Sequence, residues 1–475
     1  MIEFENTFKT LPKFLYEEVT PTPIKNARLV HTTSLVQHLG LRELGPEKLK
    51  LWLNGELTLP GEERISSHYA GHQFGVWAGQ LGDGRAISLG ELKTPAGGRL
   101  VVQTKGSGLT PFSRMGDGKA VIRSSVREYL CSEAMVGLGI PTTRVLAILT
   151  GDDRVRRETI ERSGLVARVF PTNLRFGHFE LCFHLEMEEE LDALIAYTRT
   201  TFFGGVTTEE MLTEIVARTA RLMAQWQDVG FCHGVMNTDN MSVLGLTIDC
   251  GPFGFLEDTE LGYVCNHSDH QGRYAYNQQP SVGMWNLERL LVCFVNKVPR
   301  EKLQEILNTY PDIFEKEYLR LCRRKLGLLG QDAADYKLFV DLLQTMSKLS
   351  FDYTFTFRQL AGYRRGNPRS LREVFDYYGN REEFLDWLRK YDLRLAGETG
   401  SDEERGLRMK ETNPKYVLKN YIAQEVIAEV ERDRADRLAA WLEVLYRPYD
   451  EHPGFEAYAG PTPPEHKHYE VSCSS

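Results

Sequence analysis

The stretch HGVMNTDNMSVLGLTIDCG, residues 233–251, gathers the side chains best suited to hold a hard metal ion beside a polyphosphate. Asp239 and Asn240 stand together, a short apolar run follows, and Asp249 precedes Cys250 and Gly251. An asparagine and an aspartate on either side of a short hairpin bring two oxygen donors onto one Mg²⁺. Kinases use this logic in the catalytic-loop asparagine and the aspartate of DFG, which here reads DCG. The kinase base, an aspartate five residues before that asparagine, is missing, because position 235 is Val. Asp239 is then the carboxylate of the loop that can take a proton from a hydroxyl.

Other residues fit a phosphate site. Lys105 ends the strand-like run LVVQTK and Glu128 lies in the helical stretch that follows. A lysine on a strand paired with a carboxylate on a helix can be held toward phosphate oxygens; the plainer reading is two solvated surface residues. GSG follows Lys105 directly, and GDGK at 116–119, with Asp117 and Gly118, precedes the helix, so backbone amides and a helix N-terminus converge near its ammonium group. QLGDGR at 80–85 sets Gly82 and Gly84 around an aspartate, where amides can approach a polyphosphate and Arg85 adds a charged fork. Taken alone, that segment reads first as a hairpin turn. Arg168 and Arg175, in LVARVFPTNLRFGHFE, are either ordinary ion-pair partners or two more cations along a triphosphate. His68 and His72 have the spacing of a zinc helix but no general-base glutamate between them, so no metal is expected on that pair. Arg364, Arg365, Arg369 and Arg372 read as a solvated or packing surface, with RNA binding the lesser reading.

These groups need elements to carry them. Glycine recurs between 71 and 118 around β-type runs at 86–92 and 100–104, the pattern of a twisted antiparallel sheet with functional loops. The period changes at 120–138, where Ile122, Val126, Tyr129, Leu130 and Met135 predict a helix. Strand character returns at 145–149 and 165–170, and beyond the acidic segment 186–192 helical stripes dominate, as in Leu212, Ile215, Val216, Leu222, Met223 and Trp226. The expected class is α+β: a glycine-rich β region with one helix, then a larger helical region. A bilobal kinase-type fold has this layout, and layout by itself does not single it out from unrelated α+β architectures.

A chain of 475 residues is too long for a small binding module, and 42% hydrophobic residues exclude wholesale disorder. The net charge of −9 makes a nucleic-acid partner a poor expectation. No run approaches the roughly 18 apolar residues of a membrane span, and the N-terminus is too acidic and interrupted for a signal peptide, so the default location is cytoplasmic. Eight cysteines lack any CxxC pair and read mostly as small buried hydrophobes. Cys473, behind a proline-rich stretch, is expected to be a redox-active or disulfide-forming thiol.

The segments YAGHQFGVWAGQLGDGRAISLGE, QTKGSGLTPFSRMGDGKAVIRSSVREYLCSEAM, HGVMNTDNMSVLGLTIDCGPFGFLED and NHSDHQGRYAYNQQP resemble the selenoprotein O family, also called YdiU, of protein adenylyltransferases with a pseudokinase fold. The resemblance covers nearly the whole chain, to VSCSS at the end. It implies a bilobal kinase-like fold, with an N-terminal extension at 1–60, an N-lobe at 61–185, a helical C-lobe at 186–400 and a C-terminal helical region with an extended tail at 401–475. It also implies ATP contacts from Gly82, Gly84, Arg85, Lys105, Asp117, Gly118, Arg168, Arg175 and Asp249, with Glu128 pairing the lysine. Asp239 matches the proton acceptor, and Asn240 and Asp249 match the ligands of Mg²⁺ or Mn²⁺. The implied reaction moves AMP from an inverted ATP to Ser, Thr or Tyr hydroxyls of proteins, redox proteins among them, with pyrophosphate leaving. UMP transfer from UTP, an ordinary kinase and a non-catalytic nucleotide sensor are the alternatives. Family members from eukaryotes carry selenocysteine near the position of Cys473, and a disulfide from Cys473 to Cys265, chosen for its loop-like setting, is expected to tie the tail to the catalytic lobe.

Overall fold

The computed structural model describes residues 2–467 and 469–472. An eight-stranded antiparallel sheet organises the first 170 residues. Its strands are β1 (Tyr16–Glu18), β2 (Arg28–Thr32), β3 (Ile65–Ser67), β4 (Ala86–Lys93), β5 (Arg99–Lys105), β6 (Ala120–Val121), β7 (Arg144–Arg156) and β8 (Ile160–Phe170). The order is β1-β3-β4-β5-β8-β7-β2, with β6 pairing β8, so the first 32 residues supply both ends of this path.

Alternation along the strands gives each face a different task. Ile87 and Leu89 of β4, Val102 of β5, and Leu165, Ala167 and Val169 of β8 point to one side. There they pack on Leu49, Trp52 and Leu53 of helix α1 (Gly45–Leu53). Gln103 and Lys105 of β5, and Val166 and Arg168 of β8, occupy the alternate positions. The antiparallel register sets Arg168 opposite Gln103 and Val166 opposite Lys105. Helix α2 (Ile122–Gly137) covers that second face, with Val126, Tyr129 and Leu130 in the main core.

Helices follow from there on: α3 (Phe176–His184), α4 (Thr208–Asp228), α5 (Gln279–Val292), α6 (Arg300–Lys325) and, further on, α7 (Tyr353–Leu360). Helix α4 starts at a reciprocal cap, in which the Thr207 hydroxyl accepts from the Glu210 amide and the Glu210 carboxylate accepts from the Thr207 amide. It ends before Gly230, whose φ of 71° a side chain would strain. Its stripe Leu212, Ile215, Val216, Leu222 and Met223 is buried in the main core, and a separate core behind it gathers Phe339, Phe351, Trp387 and Tyr391. Among the described residues no helix is long and apolar enough to cross a membrane.

Candidate active site

A cleft of about 780 Å³ opens between the lysine-bearing face of the sheet and the 233–251 loop. Gly82, Gly84, Arg85, Lys105, Asp117, Gly118, Glu128, Arg168, Arg175, Asp239, Asn240 and Asp249 all line it. The loop is fastened from behind by helix α4. Trp226 donates its indole N–H to the Thr247 hydroxyl at 3.0 Å and stacks on His233, whose Nε2 meets the Ile248 carbonyl at 2.8 Å. Burial lowers the His233 imidazole, so the ring is neutral.

At the centre lies an ion-pair network. Lys105 Nζ is 2.6 Å from Glu128 Oε2 and 3.4 Å from Asp249 Oδ1. Arg168 Nη1 reaches Glu128 Oε1 at 2.7 Å and Asp249 Oδ1 at 2.5 Å, while Arg175 holds Asp249 Oδ2. Burial pushes the Asp249 carboxyl up, but Arg175, Arg168 and Lys105 outweigh it and hold the group well below the usual range. Glu128 is lowered too, with burial again opposed by Lys105 and Arg168. Asp249 adopts φ 53°, an uncommon conformation for a residue other than glycine. Arg85, half-buried, makes no ion pair among the described residues, and burial lowers its guanidinium.

Asp239 differs from both. Among the described residues its Oδ1 is buried without a hydrogen-bond partner, and Oδ2 receives Gln73 at 3.4 Å. Burial raises its carboxyl to about 7 despite the opposing charge of Arg175. The backbone crowds it. A Cβ on Gly71 would stand 3.0 Å from Asp239 Oδ1, so the hairpin beside this carboxyl must begin with glycine. Asn240 donates Nδ2 to the Val235 carbonyl at 3.0 Å, which orients the amide and leaves its oxygen for a ligand.

The glycine loops serve as walls. A Cβ on Gly82, at φ 93°, would collide with Phe112 at 2.6 Å, and one on Gly84 would meet the Phe112 carbonyl at 2.8 Å. Gly118, at φ 69°, rests on Gly108, whose amide bonds its carbonyl at 3.1 Å. Asp117 is engaged already, taking both Nη atoms of Arg157 at 2.8 and 2.9 Å.

Several contributors are not apparent from the sequence. Asp83 is a buried hub that accepts from the Ser67 amide, Tyr69, Gln103 and Asn173. Gln103 accepts two bonds from Arg168, at 2.9 and 2.6 Å, and its position two residues before Lys105 on one strand was the signal available. Tyr69 lies under Arg175, 5.0 Å from ring centre to guanidinium. Arg157 carried no comparable signal.

Cys265 is buried, 5% exposed, and its thiol donates to the Cys232 carbonyl at 3.4 Å. Cys265 does lie in an irregular segment, as expected, but burial pushes its thiol well up. The tail nonetheless runs past it, since the His267 amide donates to the Val471 carbonyl at 2.8 Å. Cys473, and with it the expected disulfide, lies outside the described residues. The cysteines at 131, 182, 232, 250, 293 and 322 are buried free thiols.

Comparison with known proteins identifies the class as protein nucleotidyltransferases. The chain belongs to the family described as protein adenylyltransferase SelO, which matches residues 1–445. It is 45% identical over 482 residues to the protein nucleotidyltransferase YdiU of Yersinia pseudotuberculosis, covering 100% of this chain and 99% of that one. The corresponding proteins of Cronobacter sakazakii and Myxococcus xanthus are 46% and 44% identical, with 98% and 100% of this chain covered and 97% and 99% of theirs.

Proposed function

We propose that the cleft binds ATP with its β- and γ-phosphates inward and transfers AMP to Ser, Thr or Tyr hydroxyls of protein substrates in the cytoplasm, redox proteins among them. The observation that carries this reading is the surplus of cations. Eight lysine and arginine side chains line the cleft against five carboxylates, and Lys105, Arg168 and Arg175 converge on Glu128 and Asp249 with Arg85 beside them. A triphosphate supplies the missing negative charge, and the arginines would exchange Asp249 for phosphate oxygens. In this reading the sheet and helical regions form the two lobes of a kinase-like unit, 61–185 and 186–400, with 1–60 and 401–475 as additions.

The donor set suits a hard divalent ion, Mg²⁺ or Mn²⁺. Asp249 is held ionised and Asn240 presents an amide oxygen, both hard oxygen donors. When bound, such an ion neutralises charge developing on the phosphate oxygens. Asp239 takes the hydroxyl proton as the substrate oxygen attacks the α-phosphorus. The bond from that phosphorus to the bridging oxygen breaks, and pyrophosphate leaves with its electron pair. The unpartnered Oδ1 and a carboxyl near 7 give Asp239 the acceptor such a step needs.

Parallel incubations with α-labelled and γ-labelled ATP test the assignment. Labelled protein from the α label alone, with one pyrophosphate released per AMP, is the expected result. Labelling from the γ label alone would make the protein an ordinary kinase.

A further inference from the structure

Behind the catalytic loop, His72, Glu180 and His184 bring one ligand atom each to within 4.8 Å of one another. Glu180 and His184 are four residues apart on α3 and so share a face. His72 arrives from a short hairpin in which it pairs with Trp77. The spacing with His68 was misleading about the partner. His68 bonds the Phe14 carbonyl and stacks on Phe112, whereas His72 turns to Glu180, with Nδ1 2.6 Å from Oε1.

We infer that this triad binds one Zn²⁺, with water completing a tetrahedral shell. Two imidazole nitrogens and a carboxylate oxygen form the donor set of an open zinc site, and they suit zinc better than magnesium. Glu180 is held from outside by a hydrogen bond, as metal ligands usually are, and the two imidazoles rest against indole rings. The Thr238 hydroxyl donates to Glu180 Oε2, Trp285 meets the His72 ring edge-on at 5.4 Å, and Trp77 lies 4.0 Å from the His184 ring. The ion replaces the proton shared by His72 and Glu180. Ligands around tetrahedral zinc sit roughly 3.3 Å apart, so that pair opens slightly while His184, which is exposed, swings in. The guanidiniums of Arg273 and Arg289 over Trp285 oppose a cation, and they are offset by Glu288, which pairs Arg289 at 3.0 Å, together with the Glu180 carboxylate.

The site would clamp the hairpin to α3 immediately behind the base. The His72 amide donates to the Thr238 hydroxyl at 2.7 Å, Thr238 precedes Asp239, and Gln73 reaches Asp239 itself. Binding is separable from catalysis and is tested on the full chain. The protein is stripped with chelator, excess Mg²⁺ is added to fill hard-oxygen sites, and Zn²⁺ is titrated by calorimetry, with Co²⁺ absorption and tryptophan emission as second readouts. One Zn²⁺ per chain is expected, with a perturbed tryptophan signal and a raised Tm. His184→Ala, an exposed change, and His72→Ala should each weaken binding roughly tenfold or more, while Asp249→Ala should not. Absence of stoichiometric zinc in the presence of Mg²⁺, or unchanged binding in both histidine variants, would overturn the site.

Discussion

Two buried lysine–carboxylate pairs, Lys105–Glu128 in the cleft and Lys419–Asp352 beneath the helical region, both measure 2.6 Å yet have opposite surroundings. Lys419 and Asp352 are closed off, their side chains 3% and 1% exposed. Asp352 also caps α7 by accepting from the Phe355 amide at 2.9 Å, and Lys419 donates to the Gly460 carbonyl at 3.1 Å. Burial raises the Asp352 carboxyl, and its one lysine does not reverse that. Glu128 is buried too, yet two cations hold it below its ordinary value. One pair is a balanced joint. The other belongs to an over-compensated cluster beside a void, and that surplus, more than any bond length, marks a site awaiting an anion.

The most severe way to break this contrast is to leave the cations intact and remove the base. Asp239→Ala should lower AMP transfer by about 10² to 10⁴-fold while ATP still binds. Wild-type labelling from this variant would reduce the cleft to a nucleotide sensor. Next come the lysines themselves. Lys419→Ala strands a buried carboxylate and should cost about 3–5 kcal/mol of stability, read by urea denaturation. Lys105→Ala leaves Glu128 with Arg168 and should unfold far less readily, while transfer falls by about 10²-fold. If the two variants exchanged these phenotypes, the distinction between joint and site would collapse.

A milder change sharpens the same point. Arg85→Ala breaks no ion pair among the described residues, so its stability should stay within about 0.5 kcal/mol of the parent. Its KM for ATP should rise, by roughly tenfold, with kcat less affected. A large loss of Tm instead would show that Arg85 is structural, like Lys419.

The sheet was readable because β-type runs between recurring glycines at 86–92 and 100–104 are a local signal, and β4 and β5 extend those runs by only a residue or so. A strand's period of two ties Gln103 to Lys105. The chain does not announce that Arg168 lies opposite Gln103, because strand partners are set by topology across more than sixty residues. β1 and β2 went unread since three and five residues carry too little pattern. Asp83 looked like a phosphate loop or a hairpin turn because its role comes from Ser67, Tyr69, Gln103 and Asn173, scattered along the sequence. Lys419 and Asp352 had no signal at all, being ordinary residues until the fold closes over them.

The smallest expected effect concerns the charge of Asp239 in the nucleotide-free protein. Its ordinary value is 3.8 and burial raises it to about 7. As a base it works only when ionised, so kcat/KM, which reports the free protein, should climb with pH and reach its midpoint near 7. Stability runs the other way. Between about 4 and 7 the folded chain keeps a proton that the unfolded chain has released, so stability falls as pH rises through that window and the full cost of the buried charge stands above it. Asp239→Asn removes the charge at little change in volume. It should therefore raise Tm at pH 8, by about 1–2 kcal/mol in stability once cleft water has screened part of the charge. Near pH 4 the gain should vanish. Asp352→Ala should lower Tm at both pH values, because the Phe355 amide and the Lys419 ammonium both lose their buried acceptor whatever the charge on that carboxyl. A side chain whose neutralisation stabilises and one whose removal destabilises would then be told apart by two melting curves, and equal behaviour of the two variants would refute the contrast.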